Sequence, residues 1–130
     1  MTSPLIMIVD DDEDIREMVA MILEWNGFRV ACACDGLDAL EQLRRVCPDL
    51  LLLDLMMPRL SGVELVRRLR QEGLCDGVPV LVLSGDGASR GIAATIGASA
   101  LLVKPISLED LVAAVRRVLD AHASRRPASE

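Results

Sequence analysis

Four consecutive leucines, at positions 50–53, run without polar interruption into a carboxylate, Asp54. Such a run lacks the in-out alternation of a half-exposed strand. It reads as a strand covered on both faces, the condition of parallel sheets sandwiched by helices. Residues 5–9, 28–33, 80–83 and 101–103 form further apolar runs, and a stretch that could be helical follows each of the five. The alternation is a repeated strand–helix–strand unit and implies one parallel sheet with helices on its faces. Strand ends then acquire meaning, because open α/β sheets bind ligands at their carboxyl rim, at a topological switch point. A lone aspartate there could equally cap a turn.

The helical segments carry their own start and stop signals. Ile15, Met18, Val19, Ile22 and Leu23 recur at helical spacing between an Asp12 cap and the Asn26-Gly27 stop. A second helix over 37–46 presents Leu37, Leu40 and Leu43 and ends ahead of Pro48. Ser61 and Glu64 have capping-box spacing and open a third helix that buries Leu65, Val66 and Leu69, with Gly73 closing it. Ser107 and Asp110 open the last helix in an acidic variant of that box, ahead of Leu111, Val112, Val115, Val118 and Leu119. The fourth helix, over 88–96, has only Ile92, Ala93 and Ile96 as an apolar face and contains Gly91. A helical glycine costs about 0.5–1 kcal/mol relative to alanine, so this helix is expected to be the least stable. Gly97 is its left-handed cap.

A chain of 130 residues that is 52% hydrophobic can bury a core as one domain without staples. Its net charge of −6 argues against a nucleic-acid surface on this domain. Cys32, Cys34, Cys47 and Cys75 show no CxxC spacing and read as small core or surface residues in a reducing cytosol. Met1 to Pro4 carry no basic residue and no apolar run approaches a membrane span, so a cytoplasmic protein is expected. His122 reads as a solvent-facing residue near the end of the last helix.

Asp10, Asp11, Asp12, Glu13 and Asp14 are five acids in a row. Asp12 to Asp14 suit the first turn of a helix, where each carboxylate gains about 0.3–1 kcal/mol from the helix dipole. Asp10 and Asp11 instead end the first strand and share a rim with Asp54. If the first and third strands are neighbours, the three carboxylates lie within about 5 Å, and each like-charge pair repels by roughly 3 kcal/mol at an effective dielectric near 20. Against a total stability of about 5–15 kcal/mol, that demands a compensating cation, and Mg²⁺ suits hard oxygen ligands. Ser84 ends the fourth strand and Lys104 the fifth, where Pro105 restricts the lysine backbone to extended or turned forms. Taken singly, the serine is a turn residue and the lysine a solvated charge. Acids, hydroxyl and ammonium together at four strand ends make a phosphoryl site, with the lysine as a fixed point charge.

With Asp10-Asp11, Asp54, Ser84 and Lys104-Pro105 in this order, the chain resembles the receiver domain of two-component response regulators from Leu5 to about Leu119. The resemblance implies a three-layer α/β sandwich: five parallel strands in the flavodoxin-like order 2-1-3-4-5, with five helices. Residues 1–121 would be the receiver domain and 122–130 a frayed tail or linker stub. Asp54 would be the phosphoacceptor, taking its phosphoryl group from a sensor histidine kinase or a phosphotransfer protein. Asp11, Asp54 and the Met56 carbonyl would hold Mg²⁺, with Asp10 assisting through water, while Ser84 and Lys104 would bind phosphoryl oxygens. The output would be a remodelled face of the fourth helix, fifth strand and fifth helix that contacts a downstream protein; a phosphorylation-dependent homodimer is one form this could take. No direct contact with nucleic acid or membrane is implied. The family's switch aromatic, three residues before Lys104, is here Leu101, and the chain has no tyrosine. The positions that modulate dephosphorylation are Met56 and Asp86, so hydrolysis is expected to depend on Asp86 and the metal.

Two other readings use the same residues. A receiver-fold docking module no longer switched by phosphate would be consistent with Leu101. A Mg²⁺-dependent phosphohydrolase of the haloacid dehalogenase type would need an aspartate two residues after its nucleophile, and that position is Met56. Flavin binding is disfavoured because Trp25 and Phe28 are the only large aromatics and no glycine-rich phosphate loop follows the first strand.

Overall fold

The structure, a computed structural model, describes residues 3–57, 59–85 and 90–125. Five strands alternate with five helices in chain order: β1 Leu5–Val9, α1 Glu13–Trp25, β2 Arg29–Ala33, α2 Gly36–Leu43, β3 Leu50–Asp54, α3 Gly62–Glu72, β4 Val80–Ser84, α4 Arg90–Thr95, β5 Ala100–Val103 and α5 Leu108–Arg125. All strand pairs are parallel and the sheet order is β2-β1-β3-β4-β5. This is the flavodoxin-like order expected from the resemblance.

Side chains on successive strand residues point to opposite faces, and the core divides accordingly. Ile6, Ile8, Leu50, Leu52, Leu81 and Leu83 pack with Val19 and Leu23 of α1 and Leu111, Val115 and Val118 of α5. Met7, Val9, Leu51, Leu53 and Val82 pack with Leu40 and Leu43 of α2, Leu65 and Leu69 of α3, and Ala93 of α4. The four leucines of β3 are needed because both of its faces are covered, and every residue of that strand is buried.

The expected caps are present. Asp12 accepts from the Ile15 amide, Ser61 from Glu64 and Ser107 from Asp110. Gly73 and Gly97 adopt left-handed φ of 65° and 75°. α4 is the shortest helix described and buries only Ala93; its expected start at Ala88 lies outside the described residues. α2 ends three residues before Val46, and α5 continues past Ala121 through Arg125. His122 is half-buried rather than solvent-facing.

The cysteines require a correction. Cys32 and Cys34 are free and exposed, but Cys47 and Cys75 form a disulfide, with Cα atoms 5.4 Å apart across 28 residues of sequence. The pairing follows from topology: Cys47 precedes β3, Cys75 precedes β4, and these strands are neighbours. Spacing along the chain carries no sign of it.

Candidate functional site

Strand register assembles the carboxyl rim. Val9 is level with Leu53 across the β1–β3 ladder, so Asp10 and Asp54, next on each strand, are level as well. Asp54 pairs with Leu83, which brings Ser84 one step beyond it, and Ser84 pairs with Val103, immediately before Lys104. The Lys104 amide donates to the Ser84 carbonyl at 2.7 Å, which carries the ladder up to the lysine. The Lys104–Pro105 peptide that follows is cis.

Both oxygens of Asp54 have partners. Oδ1 accepts from the Met56 amide at 3.0 Å, and Oδ2 faces the Lys104 Nζ at 3.5 Å. Asp54 is only 6% exposed, so these contacts are largely screened from water. Asp10 is fully buried. Its Oδ1 accepts from the Asp12 amide at 2.9 Å, while Oδ2 lies 3.6 Å from the Lys104 ammonium and has no hydrogen-bond partner. One ammonium thus serves two buried carboxylates, at distances too long for strong hydrogen bonds. Arg16, one turn into α1, donates to the Asp10 carbonyl at 2.7 Å.

Asp10, Asp11 and Asp54 each present an oxygen, and the three atoms lie within 4.8 Å of one another. This is the crowding expected from the sequence. A buried carboxylate oxygen with no hydrogen-bond partner, beside two further carboxylates, is the donor set of a hard divalent cation, and Mg²⁺ fits it. Ser84 is buried, and Leu101 is half-buried against the core on the α2–α3–α4 side of the sheet. The Met56 side chain is 76% exposed and offers the rim nothing polar beyond its backbone. Asp86 lies outside the described residues.

Burial pushes the Asp10 carboxyl above its ordinary value of 3.8; the Asp12 amide and then Lys104 pull it back, and Asp54 and Asp11 push it up again. For an acid raised in the folded state, the native protein holds more protons than the unfolded chain, so stability falls as pH rises from 3.8 through the folded value. Asp10→Asn keeps an acceptor for the Asp12 amide and removes the charge. In chelator at pH 7 the variant should be the more stable, because the charge it removes is buried and crowded by Asp54 and Asp11. The gain should vanish below the ordinary carboxylate range, as denaturant titrations at several pH values would show.

The structure brings Asp10, Asp11, Asp54, Ser84 and Lys104, each singled out in the sequence, to one rim of the sheet. Arg16 was not among them, and nothing in the sequence separates it from the other arginines on helix surfaces.

The chain matches the response regulator receiver domain over residues 6–116. It is 46% identical over 116 residues to the response regulator MprA of Mycobacterium leprae, covering 88% of this chain and 50% of that protein. The Mycobacterium tuberculosis MprA is 44% identical over the same length. The chain therefore spans about half the length of the curated relatives it matches. Among solved structures, the chemotaxis protein CheY4 of Vibrio cholerae superposes with a TM-score of 0.84 at 30% identity, over 90% of this chain and 99% of that one. NtrX from Brucella abortus, crystallised with ADP, superposes with a TM-score of 0.88 at 29% identity, over 96% of this chain and 29% of that one.

Proposed function

Because this chain belongs to the response regulator receiver family, we propose that Asp54 accepts a phosphoryl group from the phosphohistidine of a sensor kinase or phosphotransfer protein, and that the aspartyl phosphate switches a protein-binding face. The supporting observation is the double hold on Asp54. Its Oδ1 is tied to the Met56 amide and its Oδ2 faces Lys104, beside two more carboxylates. A nucleophile held this way loses little orientational freedom on reaction.

In this reading a carboxylate oxygen of Asp54 attacks phosphorus; the new P–O bond forms as the P–N bond to imidazole breaks, and the leaving nitrogen takes up a proton. Mg²⁺, held by Asp11, Asp54 and the Met56 carbonyl with Asp10 assisting through water, would supply charge neutralisation at the transferring oxygens. The Ser84 hydroxyl donates to one phosphoryl oxygen and Lys104 pairs with another. Transfer exchanges one negative charge at Asp54 for about two and adds acceptor oxygens, which draws Lys104 away from Asp10. The response passes to α4, β5 and α5 through Ser84 and Leu101. α4, with Ala93 as its only buried residue, is the element least anchored against such a shift. The chemistry is self-directed, limited to autophosphorylation and hydrolysis of the chain's own aspartyl phosphate. The switch acts in the cytoplasm, where kinases draw on ATP.

Incubation with a small-molecule phosphodonor and Mg²⁺, followed by intact-mass measurement, tests the reading. The expected result is one phosphoryl group per chain, absent in chelator. Sustained multiple-turnover hydrolysis of the donor would instead support the phosphohydrolase, and a chain that takes up no label would support a docking module independent of phosphate.

A further inference from the structure

The stretch after β3 that carries Met56, described at residues 55–57 and 59–61, is gripped by a helix that contributes none of the rim acids. α2 starts at Gly36, and a Cβ built there would lie 2.3 Å from the Leu60 carbonyl oxygen and 2.7 Å from the Leu60 Cβ. The closest obstacle is backbone, so any side chain at position 36 must displace the loop. Beside it, Asp35 is 6% exposed and divides its carboxylate between two tasks. Oδ1 caps α2 by accepting from the Asp38 amide at 2.8 Å, and Oδ2 pairs with Arg59 Nη1 at 3.1 Å. Arg59 is left-handed, with φ of 71°, a conformation unfavourable for a side-chain-bearing residue and so held by its surroundings. The base of the loop is closed by the Gly62 amide donating to the Leu55 carbonyl at 3.2 Å. Gly62 itself packs within 3.0 Å of the Asp54 carbonyl and the Leu55 Cα. The loop is pinned at its base by α3 and at its tip by α2.

We propose that Asp35 and Gly36 are positioning residues for divalent-cation binding: they seat Leu60 and Arg59 at the tip of the loop and so hold the Met56 peptide against Asp54. The inference rests on the reading of the Met56 carbonyl as a ligand. Steric exclusion at Gly36 carries more of the effect than the ion pair, because Arg59 is 62% exposed at its side chain and an exposed partner contributes little. Groups behind the ligands of a metal typically change its affinity by about 10–100-fold when removed.

The test is a Mg²⁺ titration of the whole chain, followed by amide resonances and by calorimetry. In wild type the Met56 amide should shift on saturation. Gly36→Ala should weaken Mg²⁺ by about tenfold and move the Met56 amide before any metal is added. Arg59→Ala and Asp35→Asn, which leave the core and the α2 cap in place, should each weaken it by about two- to threefold. Their double variant should be no weaker than either alone, since both remove the same ion pair. A folded Gly36→Ala that binds Mg²⁺ as tightly as wild type overturns the proposal. Should Gly36→Ala fail to fold, unchanged affinity in Arg59→Ala and Asp35→Asn overturns it. A wild type that binds Mg²⁺ with shifts at Asp10, Asp11 and Asp54 but none at Met56 removes the carbonyl ligand itself, and with it this inference, while leaving Asp54 as phosphoacceptor.

Discussion

Asp54→Asn should abolish phosphoryl uptake from both a cognate kinase and a small phosphodonor, by more than about a thousandfold, as loss of the nucleophile itself requires. The substitution is nearly isosteric and keeps an oxygen to accept from the Met56 amide, so the loop after β3 should stay in place. The carboxylate to be lost is the one at the centre of the rim, level with Asp10 in the β1–β3 register and 3.5 Å from Lys104. Of the two remaining acids, Asp10 is buried beside Lys104, and Asp11 is exposed with no ion pair among the described residues. Intact mass spectrometry after donor treatment, with tryptic mapping of any residual label, is the direct check. Appreciable stoichiometric labelling of Asp54→Asn at wild-type rate would sink the assignment of the acceptor.

Lys104→Met should act on stability and chemistry together, and in separable ways. In chelator the variant leaves Asp10 and Asp54 without their shared cation. Breaking a fully buried pair costs about 3–5 kcal/mol; with Lys104 23% exposed and its contacts at 3.5 and 3.6 Å, a loss of about 2 kcal/mol is expected. Mg²⁺ should restore most of that loss, because it compensates the same carboxylates. For the same reason the variant should bind Mg²⁺ more tightly than wild type, the ammonium no longer competing for the acid cluster. Phosphoryl transfer should nevertheless fall by about a hundredfold even at saturating Mg²⁺, since a fixed positive group is missing from the transferring oxygens. Denaturant melts with and without Mg²⁺, paired with single-turnover labelling, separate the two effects. A variant as stable as wild type in chelator would mean that the lysine does not compensate the rim.

Three residues before this lysine, the chain departs from the pattern of the family it belongs to. Leu101 occupies the position of the switch aromatic, pairs with Val82 in the sheet, and is half-buried against the core rather than free to turn outward. A leucine has no ring edge to offer a hydroxyl, so under the proposed switch the change would pass through packing between β5 and the weakly anchored α4.

The sequence by itself determined what depends on neighbours a few residues away. Burial on both faces shows in the unbroken leucines of β3, because a two-sided strand leaves no position for a polar side chain. Helix starts show in Asp12, Ser61 and Ser107, because an N-cap must reach an amide three residues on. Strand ends are legible too, so Asp10, Asp54, Ser84 and Lys104 could be assigned to one rim before any register was known. Tertiary structure alone decided which distant residues meet. Cys47 and Cys75 lie on separate connections, and so do Asp35 and Arg59, as well as Gly36 and Leu60. Each pair is brought together only because β3 is seated between β1 and β4, with α2 and α3 side by side on one face. Periodicity and capping record how a segment folds on itself; contacts between segments are set by sheet order and the packing of helices across it, for which a single sequence carries no local mark.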